Sequence, residues 1–209
     1  MATSRLNSFD RGKPFYPLVM NYLTQLIGFK ELALRGVVGV PALDAALRQL
    51  GGTPEASKEQ LRDLQGQLSE LAGPLKLRCE SSDGYLTVDI DEIARDLTQN
   101  GTYLAEFLMK SAGSVLILAY ELSEGRPWRD KGPLWEFLRH CRHAAAHGGK
   151  ISFKNGEPKH PAQWGKLQLL PLHQGTSLFK AINQAGILSP GDPVRLLYDI
   201  EQAYPNMTT

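Results

Sequence analysis

A chain of 209 residues with 42% hydrophobic and 22% charged side chains can bury a sizeable core, and that composition excludes a disordered, fibrous or disulfide-stapled protein. Twenty-three Lys and Arg against 22 Asp and Glu leave a formal charge of +1, so no overall field draws the chain to nucleic acid and any such attraction has to be local. Cys79 and Cys141 are far apart, without zinc-ribbon or secreted-framework spacing, and are expected as reduced thiols. The first residues lack a charged-then-apolar leader pattern and no run of about eighteen apolar residues is evident, so the expectation is a cytoplasmic protein with no membrane part.

Residues 1–13 are polar. From Pro14 the apolar positions Phe15, Leu18, Val19, Tyr22, Leu23, Leu26 and Ile27 recur at helical steps up to Gly28, which predicts a core helix. Pro41 opens a second, short helix over 42–47, and Thr53-Pro54-Glu55 starts a third with Leu61, Leu64, Leu68 and Leu71 on one stripe. Alternation in Leu75–Cys79 and Tyr85–Val88 around the turn Ser81–Gly84 predicts a hairpin. Asp89 or Asp91 caps a helix through Ile93, Ala94 and Leu97 that Asn100-Gly101 breaks. Thr102 then caps the most apolar helix, Tyr103 to Leu122, which belongs at the centre of a bundle or buried in a dimer. Ala112-Gly113-Ser114 at its middle lets another helix cross closely, and the loop from Ser123 to Gly132 carries Arg126, Trp128 and Arg129.

The next helix starts at Pro133, since proline suits a first turn, and ends at Gly148-Gly149, since glycine suits the left-handed position after a last turn. Leu134, Phe137, Leu138, Cys141 and Ala145 give it one buried stripe and leave Arg139, Arg142, His143 and His147 on the other side or along its border. His143 and His147 are four residues apart and therefore neighbours, whereas Arg142 lies about 140° round the axis from His147. Ala144, Ala145 and Ala146 keep bulk low beside the imidazoles, so a ligand or a second surface can approach.

After Gly149, alternation predicts strands Lys150–Phe153 and Lys166–Leu170, joined through Asn155-Gly156 and a proline-rich loop as a flap beside the preceding helix. Trp164 in that loop reads first as an apolar plug and second as a stacking platform for a base. Thr176 to Ala185 is predicted as a helix, and Ser189-Pro190-Gly191-Asp192 introduces a last amphipathic helix with Val194, Leu196, Leu197 and Ile200. From Arg139 to Lys166, the cations Arg139, Arg142, Lys150, Lys154, Lys159 and Lys166 meet Glu157 alone, a local basic stretch to which His140, His143, His147 and His160 add charge at mildly acidic pH.

Arg142-His143-Ala-Ala-Ala-His147, an arginine, a polar residue, three small residues and a histidine ending an apolar helix, resembles the R-x(4–6)-H motif of the HEPN superfamily. Members most often carry asparagine after the arginine; this chain has His143. The resemblance covers residues 90–150 in fold terms. It implies a mainly α, HEPN-like helical bundle with one or two small β hairpins, forming a single domain. Residues 1–74 would be an N-terminal helical part, 75–150 the HEPN-like core with the motif helix, and 151–209 a β flap with C-terminal helices. It also implies a two-fold homodimer in which two motif helices make one site, an RNA substrate, and an antitoxin or another defence-system protein as partner.

Metal-independent RNA cleavage of the toxin or antiviral-defence type is then the expected activity. It needs a group for the 2′-OH proton, a group for the leaving 5′-oxygen and a cation at the phosphate. The expected catalytic residues are His147 for acid–base work, Arg142 for the phosphate through its planar fork, and His143 to orient the phosphate or share the proton work. No cofactor and no metal are expected. Three alternatives stand beside this reading. A non-catalytic HEPN-like module would bind an RNA, nucleotide or protein with the same residues. The His143-x-x-x-His147 pair, completed by Cys141, His140 or His160, would be a zinc site, although no glutamate follows the first histidine. The plainest is a helix end whose histidines only satisfy backbone groups. A Gly-x-Ser-x-Gly elbow and a Gly-x4-Gly-Lys-Ser/Thr phosphate loop are both absent from the sequence.

Overall fold

A computed structural model describes residues 11–30, 32, 75–79, 84–99, 101–181 and 184–208; the helices expected over 42–47 and 53–71, and turn residues 80–83, lie outside them. The described residues are mainly α with three small two-stranded pairings. The chain divides into two compact units, one of residues 27–104 and one of residues 1–26 with 105–209.

In the first unit, β1 (Leu75–Cys79) and β2 (Gly84–Val88) pair antiparallel, with Leu75 opposite Val88 and Leu77 opposite Leu86. This is the hairpin that the alternation predicts. α2 (Ile90–Gln99) follows, and the Glu92 N–H donates to Asp89 Oδ1 at 3.0 Å, so Asp89 acts as its cap.

In the second unit, the core of the described residues is assembled from residues 16–26 of α1 (residues 16–30), residues 105–122 of α3 (Gly101–Leu122), α4 (Pro133–Ala146) and α5 (Asp192–Ala203). α3 starts at Gly101, so Thr102 lies inside its first turn instead of capping it. Leu18 and Val19 of α1, Val115 and Leu116 of α3, Phe137 and Leu138 of α4, and Leu196, Leu197 and Ile200 of α5 form one continuous buried cluster. Burying each such side chain contributes roughly 1.5–3 kcal/mol, so the cluster sets where the helices lie. Within one chain α3 is not covered all round, as a helix at the centre of a bundle would be. By length and composition its span Thr102–Leu122 would suffice to cross a bilayer, against the expectation that no such run exists, yet only 28% of its most apolar window is buried. Ala112, Val115, Leu116 and Ala119 face the core, while Leu118 and Leu122 are 47% and 46% exposed.

α4 is enclosed more widely than one stripe. It packs on β3 (Gln163–Trp164), on β5 (Ser177–Phe179) and on α5, and Trp135, Phe137, Leu138, Cys141 and Ala144 are all buried, with Glu136 and His140. Leu134 and Ala145, expected inside, are half-buried.

The strands after α4 are not those expected. Leu167–Gln168 (β4) pairs with Gln163–Trp164 through a tight turn at Gly165, whose φ of +54° suits glycine, so a local hairpin replaces pairing with Lys150–Phe153. Lys150 instead bridges Ser177. The helix expected over Thr176–Ala185 is a correction too: Ser177–Phe179 is a strand that pairs parallel with Gly186–Leu188 (β6). Leu178 and Phe179, adjacent in sequence, are both buried, and a short apolar run buried on both sides has no period that separates strand from helix.

α3 and α4 approach closely where a Cβ on Gly113 would stand 3.3 Å from Ala145 Cβ and 3.8 Å from Phe179 Cε2. The partner expected to cross Ala112-Gly113-Ser114 is thus the motif helix itself. Gly113→Leu is expected to force the helices apart and to lower stability by about 1–3 kcal/mol, read as an earlier midpoint in urea denaturation.

Candidate functional site

α4 begins with Pro133 in its first turn, where no amide donor is needed. It ends at His147, whose N–H reaches the carbonyls of His143 and Ala144 at 3.0 and 3.3 Å. The Gly149 N–H also donates to Ala144 O at 2.8 Å, and Gly148 and Gly149 take φ of +83° and +72°, which turns the chain away from the helix as the glycine pair predicts. The last helical turn therefore projects from a buried shaft: His143 and His147 are exposed, Arg142 is half-buried, and Ala144 is fully buried behind them.

The two imidazoles lie together, with ring centroids 4.5 Å apart and planes tilted by 49°. The pKa of His143 is lowered from its ordinary value by the desolvation it undergoes, by His147 beside it, and by Arg142 and Arg139, which all favour its neutral form. Arg142 does not join that pair. Its Nε donates to Glu121 Oε1 at 3.1 Å and its Nη2 donates to the same oxygen, forming an ion pair with the last turn of α3. Its guanidinium carbon also stands 5.6 Å from the centroid of the Tyr120 ring, over which Arg129 stacks at 3.8 Å. Of the three expected residues, the fold brings His143 and His147 together and turns Arg142 toward α3.

The other members of the basic stretch separate by environment. Arg139 donates through Nε and Nη2 to the buried Glu136 at 2.9 and 2.7 Å, and its Nη2 approaches His140 Nε2 at 3.0 Å. That contact requires the His140 nitrogen to accept, and His140 is buried with its ring edge-on to Phe153. Burial first, and Arg139 and His143 next, push its pKa down to about 4 against the opposing pull of Glu136. Lys150, Lys154, Lys159 and Lys166 are exposed. Trp164 donates its indole N–H to Asp199 Oδ2 at 2.9 Å and leans on Phe137 with centroids 5.9 Å apart, as an apolar plug would. Cys141 is fully buried, and burial raises its thiol pKa far above the usual range, so it is an inert part of the core.

His143 and His147 offer two imidazoles to an ion. Among the described residues no group of three or more His, Cys, Asp or Glu side chains is arranged to hold one, and His140 faces Arg139 and Phe153 instead. Glu121, Tyr120 and Arg129 are the site neighbours that sequence reasoning passed over. The available signal was a carboxylate in the last turn of a largely apolar helix, followed by a short loop with Arg126 and Arg129. No protein-family model matches the chain, and comparison with curated proteins and with solved structures finds no match.

The sign of the His140 shift predicts a pH dependence. Its folded pKa of about 4 lies below the ordinary 6.5, so the unfolded chain takes up the proton first as pH falls. Stability is fully present above about pH 6.5 and is lost progressively down to about pH 4, on the order of 2 kcal/mol from this residue. Melting temperature measured from pH 7.5 to 4 should fall, and the fall should be shallower in His140→Leu.

Proposed function

We propose that the protein is a metal-independent endoribonuclease of the toxin or antiviral-defence type, with a HEPN-like bundle, an RNA substrate, and Arg142, His143 and His147 as its working residues. One observation carries this reading: an exposed imidazole pair, 4.5 Å between ring centroids, at the end of a helix whose shaft is buried, with an arginine at the residue before. His143, held toward its neutral form, takes the 2′-OH proton as the 2′-oxygen attacks phosphorus. The P–O5′ bond breaks, and His147 of a second copy of the chain gives a proton to the departing 5′-oxygen, so the products end in a 2′,3′-cyclic phosphate and a 5′-OH. Arg142 engages Glu121 through Nε and Nη2, which leaves its Nη1 donors for a phosphate oxygen.

In-line displacement needs base and acid on opposite sides of phosphorus, whereas the two imidazoles of one chain lie side by side. A second copy of the chain meets that need by bringing its own pair to the other side. Leu118 and Leu122, exposed on α3 around Glu121, offer that copy an apolar surface beside Arg142. A homodimer, a cytoplasmic setting and an antitoxin or other defence protein as partner belong to the same proposal.

A second reading, a HEPN-like module that binds phosphate without cutting, draws support from the Arg142–Glu121 ion pair, because a neutralised arginine stabilises developing charge less well. Incubation of purified protein with mixed-sequence RNA in excess EDTA separates the two. Cleavage is expected, with a 2′,3′-cyclic phosphate end, and a substrate with 2′-deoxyribose at the cut should resist. Arg142→Ala and His147→Ala should each slow cleavage by roughly 10²–10⁴ with little change in melting temperature. Binding without cleavage would favour the second reading. Loss of cleavage in EDTA with recovery on added zinc would make the histidines metal ligands and overturn the mechanism.

Leu118→Glu should convert a dimeric particle to a single chain in light scattering and remove cleavage in the same step, with the fold intact. A wild-type particle that keeps the mass of one chain at micromolar concentration would remove the shared site.

A further inference from the structure

The loop between α3 and α4, residues 123–132, carries Arg126, Arg129 and Lys131 outside the motif, and both neighbours of Arg129 are anchored. Trp128 stacks on the buried Trp135 with centroids 5.6 Å apart and meets Phe15 edge-on at 6.5 Å. Asp130 accepts from the Tyr204 hydroxyl at 2.9 Å and from the Gly132 N–H at 2.7 Å, and the Tyr204 pKa is correspondingly raised to about 12, by burial first and then by Asp130. Arg129 between them is therefore held in place before any ligand arrives.

Arg129 stacks over Tyr120 at 3.8 Å, on the same ring that Arg142 approaches at 5.6 Å, so the two guanidiniums are no farther apart than the sum of those distances. Stacking engages the face of a guanidinium and leaves its in-plane N–H edge for an anion. Glu121 pairs with Arg142, and among the described residues no carboxylate pairs with Arg129. Asp130 is turned to Tyr204 and Gly132, so the groups gathered at the Tyr120 ring are two guanidiniums and the one carboxylate of Glu121, which matches successive anionic groups on one strand.

We infer that Arg129 on Tyr120 is a second phosphate position beside the one at Arg142, so the ligand is a nucleic-acid strand that presents at least two consecutive phosphates. This rests on the reading of Arg142 as a phosphate-binding residue. Tyr120 acts as a positioning residue, holding the two cations at a fixed separation.

The probe is a fluorescein-labelled twelve-nucleotide 2′-O-methyl RNA, followed by anisotropy between 50 and 300 mM salt with the full-length protein. Arg129→Gln is expected to weaken binding several-fold and to reduce the slope of log K against log salt by ~0.7, the value for one phosphate contact on a single strand. Arg142→Gln should do the same, and the double variant should lose about twice as much. Arg129→Lys, which keeps the charge, should retain the slope. An unchanged affinity and slope in Arg129→Gln, with wild-type binding intact, would overturn the second position and leave the Arg142 reading standing. Equal loss of slope in Arg129→Lys would assign Arg129 a structural role and also overturn it. A wild type that does not bind the probe would bring down both.

Discussion

The close approach of α3 and α4 at Gly113 and Ala145 is the constraint on which the candidate site depends. An added Cβ there would ask a few tenths of an ångström of Ala145, and a side chain larger than that would hold the helices apart. About two turns further along α3 come Tyr120 and Glu121, and about one turn back along α4 comes Arg142. The ion pair and the shared aromatic ring are consequences of that spacing, as is the exposure of His143 and His147 on the side that α3 leaves open.

Charge in this region works by pairing more than by accumulation. Arg139 is taken by Glu136 and by the lone pair of a neutral His140, and Arg142 is taken by Glu121. A half-buried arginine with an acceptor is held in one orientation at the cost of some attraction for an incoming anion. The electrostatic character of the helix end is then set by which edges of the guanidiniums stay open, together with an imidazole kept neutral by its surroundings. Such an arrangement holds charge in fixed places and sets up little long-range field, in keeping with a chain whose formal charge is +1.

Even the differences between expectation and fold follow from simple causes. Lys150–Phe153 alternates well, but a Gly165 turn lets β3 and β4 find each other at once, and local pairing closes a shorter loop. Leu178 and Phe179 carry no usable period because both are buried. α3 reads as a helix for the centre of a bundle or for a dimer, and the chain covers one side of it and leaves Leu118 and Leu122 in the open.

By itself, the sequence determined the helices with marked ends and a clear period. The stretch from Pro133 to the Gly148-Gly149 stop, the β1–β2 hairpin and the amphipathic α5 all follow from local rules of capping, turn chemistry and alternation. It also determined that His143 and His147 would be neighbours, because the helical repeat brings residues four apart together. Tertiary structure alone decided the partner of Arg142, the burial of His140 and the stacking of Arg129 on Tyr120. Glu121 is 21 residues from Arg142 along the chain, and no local period relates them. Their meeting depends on the distance at which two helices pack, which is set by side-chain volumes at a crossing and is not written in either helix alone.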